Sequence, residues 1–224
     1  MLVMCFCLVF QGAPPERDLG TQLLNATNNN AVDATVRDLL NQGADPNSKN
    51  QDGVTPLMIA SYLGNVSTVK LLISRGADVG IAESKGNTAL IYALAHDRQA
   101  SNGEVVELLL SAGADANHET AKKETPLLVL CRADKPSSRT REFSALFIHG
   151  ADVNVVDAVG RTPIMNLVVA SSGDSQADLE LLELAFQQAI DFSIRDHEGF
   201  SLQEIVNIKG DKKIAALFHK IHQD

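Results

Sequence analysis

The stretch that decides the fold runs Gly43-Ala44-Asp45-Pro46-Asn47, Thr55-Pro56-Leu57-Met58, Gly64, and then Gly76-Ala77-Asp78. Each marker returns further along the chain. Gly-Ala-Asp recurs at Gly43, Gly76, Gly113 and Gly150, and the second residue after its Asp is Asn in three copies and Gly80 in the other. A Thr-Pro-Leu-like triplet recurs at Thr55, Thr88, Thr125 and Thr162, with a worn copy at Ser201-Leu202. Thr55, Thr88, Thr125, Thr162 and Ser201 are 33, 37, 37 and 39 residues apart. Self-similarity at such a period is the signature of a stacked-repeat architecture.

Each marker has a local physical meaning. Thr is a good helix cap, and Pro is tolerated at the first helical position because its missing N–H would be unpaired there. Leu57, Ile59 and Ala60, then Val66, Val69, Leu72 and Ile73, recur at spacings of three and four, so two short amphipathic helices follow each Thr. Gly64 separates them and Gly76 ends the second. The residues up to the next Thr return as a hairpin-like loop. One helix pair cannot bury its apolar face alone, so the pairs must stack.

The period of 33 with these two markers resembles the ankyrin repeat, and the resemblance covers nearly all of the chain after residue 18. It implies an all-α ankyrin-repeat solenoid of stacked helix pairs with short β-hairpin-like loops. The expected organisation is a cap at 18–50, repeats at about 51–83, 84–120, 121–157 and 158–196, and a closing repeat at 197–224, within a domain of 14–224. Two departures stand out. The His that ankyrin repeats usually carry after Thr-Pro-Leu is replaced by Met58, Ile91, Leu128 and Met165, and Lys123 replaces the usual Gly of the third hairpin.

From Gly43, Gly76, Gly113, Gly150 and Ala189 to the next Thr or Ser the count is always 12, whereas from Thr to the following Gly or Ala it is 21, 25, 25 and 27. All extra length therefore lies between the two helices of a repeat, in loops from His96 to Gly103, Arg132 to Arg141 and Ala170 to Ala177. Stacked in register, these insertions share one edge of the solenoid.

The 224 residues are 45% hydrophobic with a net charge of −9, which excludes a disordered chain and disfavours nucleic acid as a partner. No glycine-rich phosphate loop or zinc-spaced cysteine pair occurs in the repeats, so no cofactor or metal is expected. His219 and His222 lie three apart on a polar terminal helix, read as a solvated face. Cys131 reads as a packed thiol, and a nucleophile there is the weakest hypothesis; the chain is not expected to be an enzyme. Met1 to Phe10 are all apolar and precede Gln11-Gly12-Ala13, which is too short to span a bilayer but suits a signal peptide over 1–13 with a shortened basic end. Cleavage would leave Cys131 as the one thiol. A buried N-terminal strand, or an artefact of cloning or gene calling, is the other reading of this stretch.

The resemblance implies a protein partner, bound through hairpin tips and the concave face of the first helices. Carried over by position, the candidates are Lys49, Gln51 and Asp52, then Lys85 and Asn87, Lys122 and Glu124, Val156 and Arg161, and His197 and Phe200. Tyr62, Arg132 and Val169 are the matching helix positions. The insertion edge is a rival surface, with Arg98 in the first loop and Arg132, Lys135, Arg139 and Arg141 in the second; against Asp134 these give a local +3. The expected function is a non-enzymatic, monomeric binding module, in its finer form an exported bacterial protein that masks a periplasmic or secreted enzyme such as a cell-wall hydrolase, protecting the producing cell. The alternative is an intracellular adaptor or secreted effector.

Overall fold

The computed structural model describes residues 18–29, 33–95, 102–132 and 136–221; the stretch read as a signal peptide, Arg98, Lys135 and His222 lie outside them. Among the described residues are six helix pairs: α1 (Leu19–Asn28) with α2 (Asp33–Asn41), α3 (Pro56–Tyr62) with α4 (Val66–Ser74), α5 (Ala89–Ala95) with α6 (Asn102–Ser111), α7 (Pro126–Cys131) with α8 (Thr140–Ile148), α9 (Pro163–Ala170) with α10 (Gln176–Phe186), and α11 (Leu202–Lys209) with α12 (Lys212–Ile221). The first helices of successive pairs pack on one another from α1 to α11, and the second helices do so from α2 to α12. The result is a two-layered solenoid.

Local sequence dictates each helix start. Thr55, Thr125, Thr162 and Ser201 accept the N–H three residues on, from Met58, Leu128, Met165 and Glu204, at 3.3 to 3.5 Å. The missing His is partly replaced. Thr55 N–H donates to the Met58 sulfur at 3.4 Å, a weak acceptor, and Ser201 N–H donates to the Glu204 carboxylate at 2.8 Å. One continuous core from Leu57 to Phe218 runs between the layers, and a smaller cluster of Leu23, Val36, Leu39, Ala44 and Leu71 joins the cap to α4.

Asn ties the loops of successive repeats together. Asn47 accepts from Asp78 N–H at 2.8 Å and donates to Gly76 C=O at 3.2 Å. Asn117 does the same to Asp152 and Gly150, and Asn154 to Asp191 and Ala189. Gly80 holds the equivalent place, its N–H bonded to Asp78 Oδ1 as Asn47 N–H is to Asp45 Oδ1, but it has no side chain to reach Gly113 and Asp115.

A second polar device closes each hairpin. Asn50, Glu83, Thr120, Asp157 and Asp196 each accept two N–H groups of their own turn with one side chain. Burial by itself would raise the pKa of Glu83, but the N–H groups of Lys85 and Asn87 and the side chains of Ser84 and Asn87 outweigh it and hold the carboxyl below its ordinary value. Asp157 is likewise lowered, against burial, by Asn166 and the N–H groups of Arg161 and Val159. The hairpin turn itself needs a left-handed residue. Gly53, Gly86, Gly160 and Gly199 supply it with φ from 79° to 88°, and Lys123 supplies it in the third hairpin at φ 58°, alone among the described non-glycine residues.

Two outcomes follow from these bonds. Gly80→Asn completes the Asn series; an added Cβ meets only Asp78 Oδ1, at 3.3 Å, so urea unfolding should show a gain of about 1 kcal/mol. Because the folded pKa values of Glu83 and Asp157 are depressed, their contribution is full above the ordinary carboxylate range and is lost as pH falls through the folded values. The unfolding midpoint should therefore hold steady from neutral pH to about 5 and decline below about 4, with a shallower decline in Glu83→Gln/Asp157→Asn.

Candidate protein-binding site

The hairpins and the first helices together line a series of grooves on one face. Near the cap, a groove of about 470 Å³ lies between α1 and the first hairpin, and Lys49 and Gln51 line it. At the third repeat, two adjoining spaces of about 370 and 800 Å³ share Lys122, Glu124 and Arg132. Toward the far end, Arg161, Val169 and Phe200 line a groove of about 260 Å³ with Ile205 and Ile208. This last groove is apolar: Val169 is 49% exposed and Ile208, which sequence reasoning did not single out, 65%. Ile208 follows Ile205 by three on α11, and that helical spacing was its available signal.

Other candidates divide between exposed tips and residues engaged within the fold. Asp52, Lys85 and His197 are exposed at the tips, while their backbones tie hairpins together. Asn87 donates from both its backbone and its side chain to Glu83, so its amide holds the turn. Arg161 is half-buried and pairs with the Asp196 carboxylate at 3.2 Å. Tyr62 is 42% exposed and meets Tyr92 edge-on at 6.3 Å, so it both packs between repeats and faces outward. Val156 is exposed but lines none of these grooves.

Of the arginines of the basic insertion, Arg132 and Arg141 are exposed and Arg139 is not. Arg139 is buried, at 5% exposure. A 3-10 turn, Pro136–Arg139, folds the insertion back toward the end of α5, where the Arg139 guanidinium donates to Leu94 C=O at 2.7 Å and pairs with Glu142 at 3.3 Å. The final carbonyls of a helix lack intrahelical partners and favour a cation, which is why this arginine goes inward. Arg141 makes two bonds to Glu107 of α6, at 2.8 and 2.6 Å, and the Arg141 hydrogen bond is what lowers the Glu107 pKa. Arg132 pairs with Glu124. The described arginines of this insertion are therefore met by carboxylates of the repeats themselves; in the third insertion Lys213 lies 3.5 Å from Asp174, and Asp178 accepts Ser172 N–H.

Cys131 is buried at the end of α7, and burial pushes its thiol pKa well up, which disfavours the thiolate a nucleophile needs. Among the described residues no three His, Cys, Asp or Glu side chains converge as a metal site, and no helix is long and apolar enough to cross a membrane.

Residues 23–120 match the family model for ankyrin repeats in three copies. Residues 23–120 thus carry ankyrin repeats. Over 51 residues it is 47% identical to an ankyrin repeat protein of Fowlpox virus, covering 23% of this chain and 27% of that one. Over 83 residues it is 35% identical to the ARF GTPase-activating protein Git of Drosophila melanogaster, covering 37% of this chain and 11% of that one. The chain thus spans well under a third of these relatives, and the likeness is to their repeats. The crystal structure of the ankyrin repeat protein EF0377 superimposes with a TM-score of 0.76 at 23% identity over 90% of this chain and 98% of that one, which establishes the fold. Ankyrin repeats imply a role in protein binding.

Truncating the buried arginine separates structure from recognition. Arg139→Ala leaves Glu142 buried without its cation and should cost about 3 kcal/mol in chemical unfolding, whereas Arg141→Ala, on the exposed pair, should leave the unfolding midpoint nearly unchanged.

Proposed function

We propose that the partner protein lies along the grooved face, anchored in the apolar groove of Val169, Phe200 and Ile208. The exposure of Val169 and Ile208 carries this reading: two large aliphatic side chains are left uncovered around one concavity, whereas the exposed Ile148, Val156 and Val159 lie outside it. The insertion edge becomes the lesser candidate, because its described arginines are held by Glu124, Glu142 and Glu107. Affinity capture with the wild-type chain, repeated with Val169→Glu/Ile208→Glu, tests the reading. The double variant should lose the captured protein at least about tenfold, while Arg75→Glu, beyond α4 in the other layer, should retain it. Equal recovery by all three would refute the assignment of this face.

The finer reading is that the partner is an exported enzyme, such as a cell-wall hydrolase, which the module covers to protect its producer. It is supported by the apolar run Met1 to Phe10 followed by Gln11-Gly12-Ala13, and by a groove able to take a protruding segment. A mature protein beginning near Pro14 outside the cytoplasm, together with loss of hydrolase activity in excess module, is the expected result. An intact cytoplasmic chain would favour an intracellular adaptor, and an unaffected hydrolase panel would remove the inhibitory role.

A further inference from the structure

Neighbouring hairpins share one hydrogen-bond register, and one junction breaks it. Ser84 N–H donates to Asp52 C=O at 2.9 Å, Ala121 N–H to Lys85 C=O at 3.0 Å and His197 N–H to Val159 C=O at 3.0 Å. Between the third and fourth hairpins the matching groups are Ala158 N–H and Lys122 C=O. They make no such bond, and neither has another hydrogen-bond partner among the described residues.

The cause lies at Lys123. A Cβ placed at Gly86 would come within 2.8 Å of Ala121 N, and one at Gly160 within 3.0 Å of His197 N, so at these two junctions the approach of the next hairpin needs glycine, whereas at Gly53 a Cβ would stand 3.4 Å from Glu83 Cα. Lys123 has the same left-handed backbone but carries a Cβ where the Gly86 and Gly160 junctions leave no room for one. The gap is the cleft of about 800 Å³, with Lys122, Lys123 and Glu124 on one wall and Asp157, Ala158 and Val159 on the other. Its carboxylates are engaged: Glu124 by Arg132, Asp157 by two backbone N–H groups and Asn166. Lys122 and Lys123 have no ion-pair partner among the described residues. The uncompensated charge at the cleft is positive.

We propose that this cleft receives an extended acidic segment of the protein partner, with a backbone carbonyl accepting from Ala158 N–H and carboxylates meeting Lys122 and Lys123. The proposal rests on the reading of the chain as a protein-binding module and names what one part of its grooved face takes. Lys123 is then a specificity residue twice over: its Cβ holds the cleft open and its ammonium selects the charge.

Fluorescent peptides of about nine residues alternating Glu with Val, and the same peptides with Gln or Lys for Glu, test it with the full chain. The Glu peptide should bind, the Gln peptide at least about tenfold more weakly and the Lys peptide not measurably. Lys123→Gly should let the hairpins close: Ala158 amide exchange should slow by about tenfold or more in the free protein, and Glu-peptide affinity should fall about as far. Lys123→Ala keeps the Cβ, so Ala158 should stay fast-exchanging while affinity drops through the lost charge alone. Equal binding of Glu and Lys peptides, no binding of either, or unchanged Glu-peptide affinity in Lys123→Gly would overturn the proposal. If it is overturned while Val169→Glu/Ile208→Glu still releases the captured partner, the module reading stands and this cleft is not its acidic subsite.

Discussion

The structure depends on one constraint: each helix pair has an apolar face that only the next pair can cover. Leu57, Leu72, Leu90, Leu109, Leu127, Leu146, Leu167 and Leu182 are all essentially inaccessible, and each is covered by residues of its own and adjoining repeats. Burial of this kind is worth about 2 kcal/mol per large side chain, so stacking supplies the driving force that a six- or seven-residue helix cannot generate by itself. Because the contact is between neighbours, the interior demands nothing of the loops at either edge. That freedom is what allows insertions on one side and varied hairpins on the other.

Polar groups then set the spacing that the apolar contact leaves loose. The Asn side chains at 47, 117 and 154 and the hairpin-to-hairpin backbone bonds form two parallel series along the stack. Each is interrupted once, the first at Gly80 and the second at Lys123. The first break lies between the loops that end the first and second repeats, the second between the hairpins of the third and fourth, and the two adjoining central grooves lie at the third repeat. Ion pairs run along the other layer as well, from Lys70 to Glu104 and from Glu107 to Arg141, but these are exposed and add little to stability.

The fold was legible because its signals are local and repeated. Thr-Pro, in three copies, Gly-Ala-Asp, in four, and the three-and-four spacing of aliphatic residues act within a dozen residues and reinforce one another. The recognition face was legible only in part. Val169 and Phe200 could be placed by register, and they do share a groove. Arg139 could not, because its direction is fixed by the Leu94 carbonyl, 45 residues earlier. A run of arginines reads as a solvated patch until the carboxylates and helix ends that claim them are known.

By itself, then, the sequence determined the helix pairs, their order, the edge that carries the insertions and the acidic overall charge, all consequences of short-range periodicity and composition. Tertiary structure decided which of the charged groups remain available and where the stack opens. Lys123 shows the division. That it stands where glycine is usual is plain from the sequence, yet its consequence depends on how closely the next hairpin would otherwise approach. A Cβ within about 3 Å of a neighbouring backbone matters only once repeats are stacked, and stacking distance is a property of the assembled chain.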